Sequence, residues 1–313
     1  MGIGLAAVGR PAYITGGRAH DLGSDRPVEA MRARTFEVLD AAYASGIRYV
    51  DAARSYGLSE EFLAEWLAAH PENNNVEIGS KWGYRYVGQW RTHADVHEIK
   101  EHSLRAFHRQ LDESRRLLGD RIDLYQVHSV TPDSPVLTDI ELQRALGDLR
   151  DSGTRVGLST SGPRQKEVIR AVLDIEVAGS RLFSSVQSTW NLLETSAGPA
   201  LSEARQRGVD VILKEVFANG RLAPGNPVAT PGTTQAEQFA AELAVGVDQL
   251  AVAAALHQPW QPRVLSGAAT PEQVRSHVAA ADIHLTPTVF DALMSLAEDP
   301  DDYWAARSRR EWN

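Results

Sequence analysis

Four polar residues of complementary chemistry stand in order along the first half of the chain: Asp51, Tyr56, Lys81 and His128. Asp51 ends the run Arg-Tyr-Val-Asp, and Tyr56 follows five residues on in Asp-Ala-Ala-Arg-Ser-Tyr-Gly. Lys81 ends Ile-Gly-Ser-Lys, and His128 ends Leu-Tyr-Gln-Val-His. A carbonyl that accepts hydride gathers negative charge on its oxygen and needs a proton donor within hydrogen-bond reach. A tyrosine hydroxyl titrates at about 10 and is a poor acid at neutral pH unless a neighbouring cation lowers its pKa. Lys81 supplies such a cation, and Asp51 a carboxylate that keeps a buried lysine protonated. His128 is placed to orient the carbonyl or share the proton.

These residues close short Val/Ile-rich runs that alternate with helical patterns, the signature of βαβ units on a parallel sheet. Eight runs are expected as strands, near Ile3–Val8, Ile47–Ala52, Val76–Lys81, Ile122–His128, Thr154–Ser159, Ser184–Ser188, Val209–Lys214 and Arg263–Ser266. Helices are expected at Val28–Ser45, Leu58–Ala69, Val96–Leu118, Ile140–Arg150, Gln165–Ala178, Ser196–Arg207, Gln235–Ala244, Val247–Leu256 and Pro271–Ala281, with Leu222–Thr234 as one long loop. A doubly wound sheet would carry Gly-x-Gly-x-x-Gly after its first strand, and Gly2, Gly4 and Gly9 have the wrong spacing. The expected fold class is therefore α/β, a (β/α)8 TIM barrel forming a single domain over residues 1–313. In such a barrel the strand ends converge on one mouth, where catalytic groups gather.

Composition narrows the function classes. The 313 residues are 43% hydrophobic and 23% charged, enough apolar material for a large core. The net charge is −9, from 41 acidic and 32 basic residues with no basic cluster, so nucleic acid is not an expected partner. No apolar run approaches the roughly 20 residues of a membrane helix, so no membrane partner is expected. The absence of cysteine removes disulfides, thiolate nucleophiles and Cys-based zinc sites. A cytoplasmic protein is the default reading, and nothing in the pattern specifies an oligomeric state.

Local sequence around the four residues resembles the aldo-keto reductase superfamily over nearly the whole chain. Tyr49–Gly57 is similar to the family's aspartate-to-tyrosine segment, Ile78–Gly83 to its lysine strand and Leu124–His128 to its histidine strand. Gly157–Ser159, Val186–Leu192, Val211–Leu222 and Gly267–Gln273 resemble four further family segments, in order. The resemblance implies an NAD(P)-dependent oxidoreductase acting on aldehydes, ketones or the corresponding alcohols, with NADP(H) favoured and NAD(H) as the alternative. It implies Tyr56 as general acid/base, Lys81 and Asp51 as its tuning pair, and His128 as the residue orienting the substrate. Ser159 and Gln187 would hold the nicotinamide carboxamide, and Gln273 lies where the family contacts the adenosine end. The chain departs from the family at three places. Thr160 stands where Asn is common, Lys214 where a tyrosine stacks on the nicotinamide, and Gly267, Ala268 and Ala269 where cationic and hydroxyl contacts to a 2′-phosphate are common, with His277 in place of Asn. Arg221 and Arg275 are the remaining candidates to reach a cofactor phosphate, although exposed arginines usually have no such role.

Beyond these motifs, Trp82, Tyr84, Tyr86 and Trp90 follow Lys81 in one stretch, and this aromatic mouth loop is expected to line a substrate pocket. Trp190 is a weaker candidate of the same kind. His97-Glu98-x-x-x-His102 mimics a zinc-protease helix, but histidines five apart are turned by roughly 140° rather than sharing a face. A solvated helix face is the expected setting for them, and no metal site is expected. Two other functions remain open on sequence: a catalytically weak, regulatory cofactor-binding protein of reductase fold, and a barrel isomerase or lyase using Lys81 as base or nucleophile.

Overall fold

The computed structural model describes residues 1–16 and 18–313. Eight parallel strands close a barrel: β1 (Gly2–Gly4), β2 (Tyr49–Asp51), β3 (Glu77–Trp82), β4 (Leu124–Val130), β5 (Arg155–Thr160), β6 (Ser185–Thr189), β7 (Asp210–Lys214) and β8 (Arg263–Ser266). Each pairs with its neighbour in the chain, and β8 returns to β1 with Leu265 opposite Gly2. All eight expected strands are present. The first is shorter than expected, because the backbone turns after Gly4 and Gly9 N donates to the Leu5 carbonyl.

Strand residues alternate between the barrel interior and the surrounding helices. Tyr49, Leu124, Ile212 and Leu265 form a small apolar cluster of their own, a plug in the barrel's lower half. Two residues further along the chain stand Asp51, Gln126, Lys214 and, just past the end of β8, Gly267, and on the strands between them Lys81 and Gln187 complete the same upper layer. The other strand face packs on the helices in the main core, which holds Ile78, Trp82, Tyr125, Val127, Val186 and Leu213. An apolar floor thus carries a polar ceiling, and the alternation decides which side chains reach the mouth.

Helices surround the barrel at Val28–Ala44, Ser59–Ala69, Leu104–Leu118, Ile140–Asp151, Gln165–Leu173, Gly198–Gln206, Pro231–Glu242, Val247–Leu256 and Pro271–Ala279. The long helix expected from Val96 begins only at Leu104, where the Ser103 hydroxyl accepts from the Ala106 amide. Glu98–Lys100 instead pair antiparallel with Tyr84–Tyr86. His97 and His102 therefore leave the expected solvated helix face and are each 5% exposed. The expected loop Leu222–Thr234 gives way to helix at Pro231, capped by the Thr230 hydroxyl. Two helices that the sequence reading did not anticipate, Pro287–Met294 and Pro300–Ser308, lead into a C-terminal tail across the mouth. Among the described residues no single helix is long and apolar enough to cross a membrane.

The plug is tightly fitted. A Cβ added at Gly79 would lie 2.2 Å from the Tyr49 hydroxyl oxygen. Gly79→Ala is expected to destabilise the fold by about 1–3 kcal/mol, the usual cost of overpacking, read from urea unfolding midpoints. Unchanged stability would show that the Tyr49 ring has room to move.

Candidate active site

The upper layer holds the four residues of the sequence reading in one hydrogen-bonded cluster. Lys81 Nζ donates to Asp51 Oδ2 at 2.5 Å, to the Ala52 carbonyl at 3.0 Å and to Tyr56 Oη at 3.3 Å. All three ammonium protons have acceptors, the full capacity of a protonated lysine. Tyr56 Oη also lies 3.5 Å from His128 Nε2. Asp51 Oδ1 accepts from Gln187 Nε2 at 2.8 Å and from Gln126 Nε2 at 3.4 Å, so residues from β4 and β6 hold the carboxylate that holds the lysine. His102 Nε2 donates to the His128 carbonyl at 2.8 Å and fixes the end of β4.

Burial governs the electrostatics. Lys81 is fully buried, and desolvation draws its pKa below the ordinary lysine value while Asp51 pulls it back up. Desolvation, with Lys81 next, drives His128 well below 6.5 and keeps it neutral, able to donate or accept one hydrogen bond. Tyr56 is held well above 10, first by burial and then by the Asp51 charge. The hydroxyl is thus kept protonated, in contrast to the lowered pKa expected from Lys81, because desolvation and the carboxylate together outweigh the cations. The cation that opposes them is one the sequence reading missed: Arg10, buried, with its guanidinium carbon 5.0 Å from the centre of the Tyr56 ring. Arg10 Nη1 donates to the Ser55 carbonyl at 3.0 Å and to Glu98 at 2.5 Å. Its only sequence signal was a basic residue soon after the first strand.

Tyr56 stands where two clefts meet. One runs along β1, β7 and the turn after β8, and is lined by Asp51, Gln187, Phe217, Asn219, Ser266 and Gly267. The other, about 220 Å³, reaches outward past His128, Tyr84 and Arg10 to the C-terminal tail. Lys214 lines both. The first cleft holds polar atoms that want partners: Gln187 Oε1 and both amide atoms of Asn219 are buried without a hydrogen bond among the described residues. Unpaired buried groups are costly unless a ligand satisfies them. An acceptor beside Tyr56 and a two-way amide further along fit the carboxamide and polar backbone of a nicotinamide dinucleotide.

Other expected contacts fall elsewhere. The Ser159 hydroxyl accepts from the Ser129 amide, and the Thr160 hydroxyl bonds Ser188 and Gln165; both side chains are sealed inside rather than lining a cleft. Lys214 Nζ donates to the Thr189 hydroxyl at 2.8 Å, and burial lowers its pKa to about 8. Gln273 Oε1 accepts from the Ala269 amide at 2.8 Å and shapes the turn from within, while Ala268 and Ala269 are buried. His277 is also internal, bonded to Ser266 and stacked on Phe217 with ring centres 4.3 Å apart. Arg221 pairs with Glu298, and Arg275 with Glu272 on the surface.

Of the aromatic candidates, only Tyr84 lines the outer cleft, its ring 5.2 Å from that of His128. Trp82 points outward from β3, because its neighbour Lys81 takes the inward position, and packs on Phe107. Trp90 donates to the Arg26 carbonyl beside a separate surface cleft, and Trp190 is buried against Trp260. Sequence reading missed the tail, which carries no motif: Trp312 stacks on His97 at 4.4 Å, and Asn313 and Tyr13 exchange backbone hydrogen bonds.

A closed (β/α)8 barrel with a buried Asp–Lys–Tyr–His cluster at its mouth defines an oxidoreductase class whose profile, the Aldo/keto reductase family, matches residues 19–298. The chain belongs to that family, whose members are NAD(P)-dependent oxidoreductases. It is 25% identical over 295 residues to the aldo-keto reductase str7 of Strobilurus tenacellus, covering 85% of this chain and 82% of that protein. It is 26% identical over 292 residues to pyridoxal 4-dehydrogenase of Microbacterium luteolum, covering 79% and 83%. The fold matches the holo form of an aldo-keto reductase from Bacillus halodurans with a TM-score of 0.70 at 22% identity, covering 96% of this chain and 92% of that one. A glycerol dehydrogenase from Gluconobacter oxydans matches with 0.69 at 23% identity, covering 94% and 90%.

Breaking the buried pair tests what holds the site. Asp51→Asn is expected to cost about 3 kcal/mol or more of stability, the range for stranding one charge of a buried pair. Adding Lys81→Met should restore part of the loss, a coupling that a double-mutant cycle in urea reads directly. Strictly additive losses would show that the pair is not the stabilising unit.

Proposed function

We propose that the chain reduces carbonyl compounds, or oxidises the corresponding alcohols, with Tyr56 as the proton donor and acceptor. The observation that carries this is the position of Tyr56, at the junction of a long cleft with unsatisfied polar atoms and an outer cleft that contains His128. A nicotinamide dinucleotide, when bound, supplies the hydride. Gln187 would hold the carboxamide, and Asn219 the polar backbone further along the cleft. The neutral imidazole of His128 orients the substrate oxygen beside Tyr56 Oη. Tyr56 gives its proton to that oxygen as negative charge develops there. Lys81, pinned by Asp51, points one N–H at the same hydroxyl and stabilises the tyrosinate left behind. Tyr56 is in its donor form at neutral pH, and because burial and Asp51 raise its pKa, Lys81 and Arg10 must stabilise the tyrosinate as the proton leaves. With all three protons of Lys81 engaged and its ammonium buried, a Schiff-base role for it has no support.

Tyr56→Phe is expected to lower reduction of a panel of aldehydes at least roughly 10²-fold while leaving cofactor affinity nearly intact. Steady-state kinetics and NADPH titration of tryptophan fluorescence measure the two effects. Full activity in the variant would overturn the assignment.

For the cofactor, NADP(H) is favoured on family grounds, with a small margin. The turn after β8 offers Gly267 with nothing within 4 Å of a Cβ added there, the amides opening the Pro271–Ala279 helix, and Arg275 already paired with Glu272. Backbone amides attract phosphate without excluding NAD. The preference for NADPH over NADH is therefore expected to stay under roughly 100-fold in dissociation constant at one ionic strength. A preference of about a thousandfold either way would place a specificity residue elsewhere.

A further inference from the structure

The outer cleft departs from the charge balance of the chain. The whole protein carries −9, yet the cations lining this cleft are Arg10, Lys214, Arg307 and Arg310, against the carboxylates Glu98 and Glu215. Four positive and two negative charges leave two positive charges in excess. Pairing accounts for part of them. Arg10 is bound to Glu98, Arg307 to Glu215, and Lys214 lies 3.8 Å from Glu215. Glu215 has its share filled: burial works against its ionisation, but Arg307 and Lys214 hold its pKa at about 2.

Arg310 is the cation left over. Its Nη1 donates to the Asn219 carbonyl at 2.9 Å, and no described carboxylate lies within ion-pair distance of it. Nε and Nη2 have no partner among the described residues. The side chain is half-buried, and desolvation, followed by the nearby charge of Arg221, disfavours its cationic form. A half-desolvated guanidinium with one edge open, in a cleft whose other lining charges already leave one positive in excess, suits a planar carboxylate that can accept two parallel hydrogen bonds.

We propose that this cleft takes a carbonyl substrate bearing a carboxylate, and that Arg310 on the C-terminal tail recognises that group while Tyr56 meets the carbonyl. The assignment rests on the reductase reading above and adds the charge class of the substrate. The open edge of one guanidinium offers two parallel donors, which matches a carboxylate; a phosphate dianion would have to draw on Lys214 as well, whose Nζ is bonded to Thr189. The tail is held in place independently, through Trp312 on His97 and through the Asn313 and Tyr13 backbones.

The test compares 4-carboxybenzaldehyde with 4-nitrobenzaldehyde, which are nearly equal in shape and differ in charge. The intact enzyme should favour the carboxylate by roughly tenfold or more in kcat/KM, a preference that falls with added salt. Arg310→Gln should erase that ratio and Arg310→Lys should keep part of it; an unchanged ratio in Arg310→Gln would overturn the proposal. Binding is read separately, without turnover, by titrating the protein saturated with NADPH with benzoate, benzamide and inorganic phosphate while following the fluorescence of Trp312 and its neighbours. Saturable benzoate binding that weakens roughly tenfold in Arg310→Gln, with benzamide silent, supports the carboxylate site even where neither aldehyde turns over, a result that would sink the reductase reading instead. Equal turnover of both aldehydes with no benzoate binding, or phosphate binding more tightly than benzoate, would overturn the carboxylate assignment and leave the reductase reading standing.

Discussion

The buried contact between Lys81 and Asp51 is the constraint on which the mouth of the barrel depends. A lysine with no exposed surface keeps its charge only if its desolvation is offset nearby, and here one carboxylate, one backbone carbonyl and one phenol oxygen do so. Asp51 in turn is held by glutamines from two other strands. The cluster therefore ties β2, β3, β4 and β6 together across the barrel axis, above the apolar plug. Any shift of one strand relative to its neighbours would strand a charge in a low-dielectric interior, so the register of the barrel and the geometry of the site are enforced by one set of interactions.

That cluster also explains why the two clefts meet where they do. Tyr56 follows β2 by one tight turn, and Gly57, at φ +60, lets the chain pass against Gly9: a Cβ there would lie 2.5 Å from the Gly9 carbonyl. The turn after β1 is thereby pressed on the turn after β2, which brings Arg10 over the Tyr56 ring and ties it to Glu98 of the hairpin. The hairpin then supports His97, on which Trp312 stacks. A continuous set of contacts leads from the buried pair to the last residues of the chain, so the outer cleft is built by segments far apart in sequence.

Strand ends were legible in the sequence because polar residues there interrupt apolar runs at fixed places, and the local motifs fixed their order. The alternation of side chains is legible too, and it extends one residue beyond Lys81. Trp82 follows Lys81 directly and so must face the helices, a consequence of period two that rules it out of the mouth. The setting of His97 and His102 is not legible, because the amphipathic pattern of Leu104–Leu118 reads smoothly backward past Ser103, and only the cap and the antiparallel partner reveal the break. Gln273 and His277 sit at the expected positions but spend their hydrogen bonds on the turn itself. Arg10 and the tail were not legible, since their roles arise from contacts between segments with no shared motif.

The distribution of charge around the mouth follows from these same contacts. Along the long cleft, the turn after β8 is made of the exposed Gly267, the buried Ala268 and Ala269 and backbone amides, while Arg275 and Arg221 are paired with Glu272 and Glu298. In the outer cleft the last helix and the tail bring Arg307 and Arg310 to the same walls as Lys214. An acidic protein gains no long-range attraction for anions from its overall charge, so selectivity for charge must come from these few partly desolvated groups at short range. Burial strengthens them there for the same reason that it strengthens the Lys81–Asp51 pair, because the low dielectric that makes an unpaired charge costly also makes a correctly placed partner count for more.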